Sequence, residues 1–280
     1  MPKSSFATMC KRVANRPSLS RMSMPFRLDD DPGANFSALL HRIGLSPFEV
    51  GSHGSLAVPH ATTCVAIRTA DGVVMGGDRR ATSGNLISHR EMEKVVEADQ
   101  FSGVAIAGAA GPAMEMVKLF QLQIEHYEKV EGVSLSLEGK ANQLSMFVRS
   151  NLPAAMQGFM VVPIFAGYDH VTERGRLWDY DATGGRYEER DFVATGSGML
   201  HAGAVLRMAW KRDLSTSAAV ELVSRALWEA ADADSATGGP DTTRGIFPTV
   251  AIITASGFAR VGDDLLARVY QEIAEGVVRP

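Results

Sequence analysis

The residue in this chain best suited to covalent chemistry is a threonine inside it. Thr62 follows a stretch rich in Gly, Ser and Pro (GSHGSLAVPH, 51–60) that reads as a linker. A threonine hydroxyl is a weak nucleophile until a base takes its proton. The base within reach is the nitrogen of the same residue. In the intact chain that nitrogen is an amide with no basicity. Cutting Ala61–Thr62 would turn it into an α-amine with a pKa of about 8, partly neutral at pH 7 and able to accept a proton. The uncut chain would then be an inactive precursor. By residue type alone, a Thr-Thr pair is more often just the start of a β-strand.

Other chemistries lack their residues. The sequence holds no G-x-S-x-G elbow, H-E-x-x-H pair, Walker loop or G-x-G-x-x-G turn. Four of the seven histidines lie beyond residue 61 (His89, His126, His170, His201). None pairs with another at ligand spacing, so neither a metal nor a cofactor is expected. Cys64 alternates within a strand and reads as a buried structural thiol. With only Cys10 besides, the cysteine count suits a reducing compartment and a cytoplasmic location.

Composition narrows the class further. At 45% apolar the chain is too hydrophobic to be disordered throughout. Its longest apolar stretch, Phe159 to Phe165, is interrupted by Pro163 and falls far short of the ~20 residues that span a membrane. The net charge of −4 argues against nucleic acid as a partner. That charge is unevenly spread: residues 1–61 have seven basic and four acidic side chains (+3), and residues 62–280 have 21 and 28 (−7). The first 28 residues contain no acid and no apolar run long enough for a secretory signal.

The elements that must position Thr62 follow from periodicity. Alternation over 62–69 predicts a strand with Thr63, Val65 and Ile67 on one face. Asp71-Gly72 predicts a hairpin turn into a second strand, Val73 to Asp78. Lys94 to Val96 and Gly103 to Ala107 read as two more strands. A helix then opens at Gly111-Pro112, carrying Met116, Phe120, Ile124 and Tyr127 at helical spacing. After Gly132 a second helix places Leu137, Ala141, Leu144 and Val148 together. Strands at 159–167, 175–180 and about 186–194 come next, with Gly184-Gly185 turning between the last two. Helices at 199–211 and 216–231, a strand at 248–254, a Ser256-Gly257 turn and a helix near 263–275 complete the chain. Residues 34–43 are read as a short helical turn. Sheets and helix pairs in this order each need an apolar cover, and a four-layer αββα sandwich of the α+β class provides it.

With these elements in order, a resemblance appears. TTCVAIRTADGVVMGGDRRATSGNLIS, from Thr62 to Ser88, resembles the start of a mature proteasome β subunit. Lys94, Ile106-Ala107-Gly108, Gly196-Ser197-Gly198 and Asp234-Ser235-Ala236-Thr237-Gly238-Gly239 follow in that family's order. The run ATGGPDTTRGIFPT, 236–249, resembles the actinobacterial type, and the likeness covers essentially all of 62–280.

The resemblance implies an Ntn-hydrolase fold over 62–280, behind a propeptide, 1–61, that is removed by autocatalytic cleavage between Ala61 and Thr62. It implies a threonine endopeptidase that hydrolyses unfolded proteins. Thr62 would attack through its hydroxyl and accept the proton on its amine. Lys94 would favour the neutral amine and the alkoxide, with Asp78 holding it in place. The Gly108 N–H would form the oxyanion hole. Ser197, Asp234 and Thr237 would surround the amine, and Arg80 would be a structural charge nearby. The family usually has serine where Thr237 stands and glycine where Ala61 stands.

For the side chain preceding the cut, the resemblance implies a pocket of Ala81, Met92, Val96, Ile106, Ala110 and Met114. All six are apolar, which predicts cleavage after hydrophobic residues. Thr82 and Ala110 would pair with the substrate main chain as with an added strand. The implied partners are proteasome α subunits, further β subunits in a heptameric ring of a 28-subunit 20S particle, an ATPase ring, and substrates tagged with a ubiquitin-like protein. Two other readings stand beside this one: a two-ring bacterial ATP-dependent peptidase subunit, and a non-catalytic ring subunit.

Overall fold

The computed structural model describes residues 62–277. The cleavage residue Ala61, the propeptide reading of 1–61, the helical turn at 34–43 and the linker at 51–60 lie outside the described residues.

Two five-stranded antiparallel sheets form the centre. In chain order the strands are β1 (Thr63–Arg68), β2 (Gly72–Gly77), β3 (Ala81–Ser83), β4 (Leu86–His89), β5 (Val95–Asp99), β6 (Ser102–Gly108), β7 (Val161–Asp169), β8 (Arg174–Tyr180), β9 (Arg186–Glu189), β10 (Phe192–Gly196), β11 (Thr249–Thr254) and β12 (Gly257–Arg260). The first sheet runs β10-β1-β2-β11-β12, the second β5-β6-β7-β8-β9, and β3-β4 form a separate hairpin. The helices are α1 (Ala110–Glu131), α2 (Leu137–Ser150), α3 (Leu152–Ala155), α4 (Met199–Ala209), α5 (Thr216–Ala233) and α6 (Asp263–Val277).

Alternation sorts the strand side chains into layers. On β1, Val65 and Ile67 face α4, α5 and α6, while Cys64 and Ala66 face the second sheet. On β6, Val104 and Ile106 pack under α1 and α2, while Ala105 points between the sheets. Phe165 and Trp178 face the α1–α2 side; Ile164 and Leu177 face inward. Three apolar clusters therefore separate four layers, giving the expected αββα sandwich.

Leu137, Ala141, Leu144 and Val148 of α2 are buried as their spacing predicts. So are Met116, Phe120 and Ile124 of α1, while Tyr127 of the same series stays exposed. The hairpin turn lies one residue earlier than the sequence suggests. The Thr69 amide donates to the Gly72 carbonyl, so Ala70 and Asp71 form the loop and Gly72 starts β2. The stretch 186–194 is two strands rather than one. The chain breaks at Arg190-Asp191, and β9 ends the second sheet while β10 joins the first beside β1.

Candidate active site

The β1–β2 register determines what faces residue 63. Cys64 pairs with Gly77, and one step further the Asp78 amide donates to the Thr63 carbonyl at 3.1 Å. On the other edge of β1, Thr63 pairs with Gly196, and the Ser197 amide donates to the Thr62 carbonyl at 2.8 Å. The start of β1 is therefore held from both sides. Gly196 has φ +96°, and a Cβ there would stand 1.9 Å from the Thr62 carbonyl oxygen. Only glycine admits this approach.

An ion pair lies under this end of the sheet. Lys94, just before β5 of the second sheet, donates from Nζ to Asp78 Oδ1 at 2.7 Å and to the Arg80 carbonyl at 2.6 Å. Neither side chain of the pair is exposed. Asp78 Oδ1 also accepts from the Thr63 amide at 2.8 Å, and Oδ2 accepts from the amides of Arg80 and Gly238, each at 2.9 Å. Thr62 itself is only 3% exposed. Arg80 extends away and donates Nη1 to the Ser235 carbonyl at 2.9 Å.

A hydroxyl chain closes the opposite side. Asp234 caps the C-terminus of α5, its amide bonded to the Ala230 carbonyl. Its Oδ2 accepts from Ser197 Oγ at 2.5 Å and from Thr237 Oγ1 at 2.6 Å. With the Thr237 proton given to Asp234, Thr63 Oγ1 must be the donor in its 2.5 Å bond to Thr237, and Thr63 in turn accepts from the Gly198 amide at 3.0 Å. Proton direction is thereby defined from Gly198 through Thr63 and Thr237 to Asp234. Thr63 is the residue that sequence reasoning missed: alternation marks it only as a strand residue, and nothing in it foretells the Thr237 contact 174 residues away.

Burial pushes the Asp234 carboxyl up. The bonds from Ser197, Thr237 and the Ala236 amide together outweigh that effect and hold it below its ordinary value. Cys64 sits against the same ion pair. Burial pushes its thiol up to about 12, with the Lys94 charge opposing, and Sγ donates to the Ile106 carbonyl. It is thus a protonated packing residue, as expected for a strand cysteine.

Gly108 ends β6 at φ +112°, where a Cβ would stand 2.1 Å from the Met160 carbonyl oxygen. The next amide, Ala109, donates to that oxygen at 2.8 Å as α1 begins. Of the residues expected to line the pocket, Val96, Ile106 and Met114 join one cluster with α1. Ile106 is 2% exposed and Ala81 5%, so both are buried. Met92, whose amide donates to the Arg79 carbonyl, is half-buried, as are Thr82, Val96, Ala110 and Met114. Among the described residues no His, Cys, Asp and Glu come together in a group able to hold a metal ion, and no helix is long and apolar enough to cross a membrane.

A family model described as proteasome subunit matches residues 58–243. A protein named proteasome subunit beta from Acidimicrobium ferrooxidans is 52% identical over 261 residues, covering 92% of this chain and 96% of its own. One of the same name from Streptomyces griseus is 54% identical over 222 residues, 79% of each chain. A third, from Acidothermus cellulolyticus, is 52% identical over 220 residues, 77% and 76% of the two chains. With the family model spanning more than half of the sequence and relatives more than half identical along most of it, the chain belongs to the proteasome subunit family.

Proposed function

We propose that this chain is the precursor of a catalytic β subunit of a 20S proteasome, a threonine endopeptidase activated by cleaving Ala61–Thr62. Residues 1–61 are then a propeptide and residues 62–280 the catalytic domain. The observation that carries the reading is the buried Lys94–Asp78 pair, whose carboxylate also binds the amide next to Thr62. Sinking two charges beside a strand end is costly and adds little net stability. It is understandable where chemistry needs a fixed charge.

In the cut chain the Thr62 hydroxyl attacks the scissile carbonyl while its α-amine takes the proton. The Gly108 N–H steadies the oxyanion, the C–N bond breaks, and the leaving amine receives the proton. Water then hydrolyses the ester. Lys94 places positive charge where the alkoxide forms, and the Ser197–Asp234–Thr237 bonds steady the amine side. The apolar side chains Ala81, Met92, Val96, Ile106, Ala110 and Met114 favour a hydrophobic residue before the cut. Thr82 and Ala110 pair with the substrate main chain. The names of the relatives support assembly with α subunits and further β subunits, and a cytoplasmic location is part of the same proposal. An ATPase ring and a ubiquitin-like tag complete the proposed system.

The test is mass spectrometry and peptidase assay of the particle assembled with proteasome α subunits, wild type beside Thr62→Ala. Wild type is expected to lose residues 1–61 and to cleave a hydrophobic fluorogenic peptide faster than an acidic one. Thr62→Ala is expected to keep the leader and lose activity by at least about 10³-fold. An active Thr62→Ala particle, or a wild type that keeps its leader, would defeat the proposal.

A further inference from the structure

We propose that Arg79, Arg80 and Arg90 form a binding site for one small free oxyanion of the phosphate type. The three side chains line a cavity of about 30 Å³ together with Ile246, Phe247 and Pro248. That space takes roughly two water-sized atoms, so one anionic group would seat two of its oxygens there and keep the others toward solvent.

Three observations point to an anion. First, among the described residues none of the three guanidiniums makes an ion pair. Arg79 donates Nη2 to the Glu91 carbonyl and Arg80 donates Nη1 to the Ser235 carbonyl, both neutral acceptors. Second, Arg79 Nε is buried and, among the described residues, has no hydrogen-bond acceptor. A charged N–H without an acceptor costs free energy, and the guanidinium that carries it belongs to a side chain lining the cavity, where an anion would offset its charge. Third, the one carboxylate on the cavity wall, Asp241, is already held by Arg244 at 2.6 Å, so the three arginines remain in excess. Arg244 bonding first, and the Arg90 charge with it, holds the Asp241 carboxyl below its usual range.

The shape selects the ligand. Guanidinium forks match the spacing of oxygens on phosphate and carboxylate. The small volume takes part of one such group, and a chain of net charge −4 repels a polyanion. The wall at residue 238 is glycine; a Cβ there would stand 2.7 Å from Arg80 Cβ and crowd its stem. The backbone beside the anion is also the backbone of the candidate active site, since the Arg80 carbonyl accepts from Lys94 and its amide bonds Asp78. A filled site would brace that segment. The proposal does not depend on which reaction the site catalyses.

Inorganic phosphate is the probe, titrated into the full chain at ionic strength held constant with chloride. Calorimetry and the unfolding temperature are the readouts. The expected result is saturable binding of one phosphate per chain, on the order of millimolar or tighter, with a rise in unfolding temperature. Arg79→Gln and Arg90→Gln should each weaken it about tenfold or more. Arg225→Gln, on the exposed face of α5, should leave it unchanged. Arg90 is exposed, so its variant keeps the fold and keeps the test decisive if Arg79→Gln unfolds. Phosphate responses no larger than chloride alone gives, or wild-type binding by Arg90→Gln, would overturn the proposal.

Discussion

Both oxygens of Asp78 are fully engaged. Lys94 and the Thr63 amide share Oδ1; the amides of Arg80 and Gly238 share Oδ2. Four donors around one carboxylate offset much of the cost of burying it. Removing one charge strands the other in a dry site. Asp78→Asn and Lys94→Met should therefore each lower stability by about 3–5 kcal/mol, and the double variant by less than their sum. Urea unfolding of the four chains closes the cycle; strictly additive losses would show the charges to be uncoupled.

Asp234 gives the pH prediction. Its carboxyl lies lower in the folded chain than the ordinary value of about 3.9. Its ionised form therefore stabilises the fold above that pH, and the contribution fades as pH falls through the folded value. Asp234→Asn should be less stable than wild type at pH 7, with the gap closing below about pH 4. Unfolding temperatures from pH 7 to pH 3 measure it, and a gap that stays constant would exclude a role for the charge. These side chains were legible in the sequence only as an ordered set. Thr63 was not, because its hydroxyl gains meaning only when α5 delivers Thr237 to it.

Elements were legible where a period repeats. Alternation marks β1, the Asp71-Gly72 turn marks β2, and i, i+3, i+4 spacing marks α1, α2 and α5. The hairpin β3–β4 escaped because Leu86 and Ile87 are exposed, which leaves no buried face to produce a pattern. The short β12 escaped for want of length, and α3 for the same reason. The exchange of sheets between β9 and β10 is a tertiary decision at Arg190-Asp191, which local propensity does not encode. That exchange is what delivers Gly196 to β1. Gly196→Ala would need a strained φ and would push a Cβ into the Thr62 carbonyl. It should cost about 1–3 kcal/mol in stability and, on the proposed function, abolish both leader removal and peptide cleavage, because it displaces Thr62, the proposed nucleophile. Normal processing in this variant would mean that β10 does not position Thr62.

For the whole molecule, the four layers were legible because each sheet and each helix group needs an apolar partner, and the three clusters meet that need. The charge imbalance along the chain makes its own prediction. Loss of residues 1–61 would move the net charge from −4 to −7. The processed chain should elute later from an anion exchanger, under denaturing conditions, than the Thr62→Ala chain. Co-elution would mean that no basic segment is lost.

The sheet order puts β1 between β10 and β2 rather than at an edge. Chain ends ordinarily fray and wander. An end created by cutting before Thr62 would instead inherit the address of an interior strand, with neighbours already bonded on both flanks. The new amine and hydroxyl would have no conformational search to make, and their effective concentration at the bond to be attacked would be set in advance by the ladder. Amide protons of Cys64 to Ile67 should then exchange with solvent as slowly after the cut as before it.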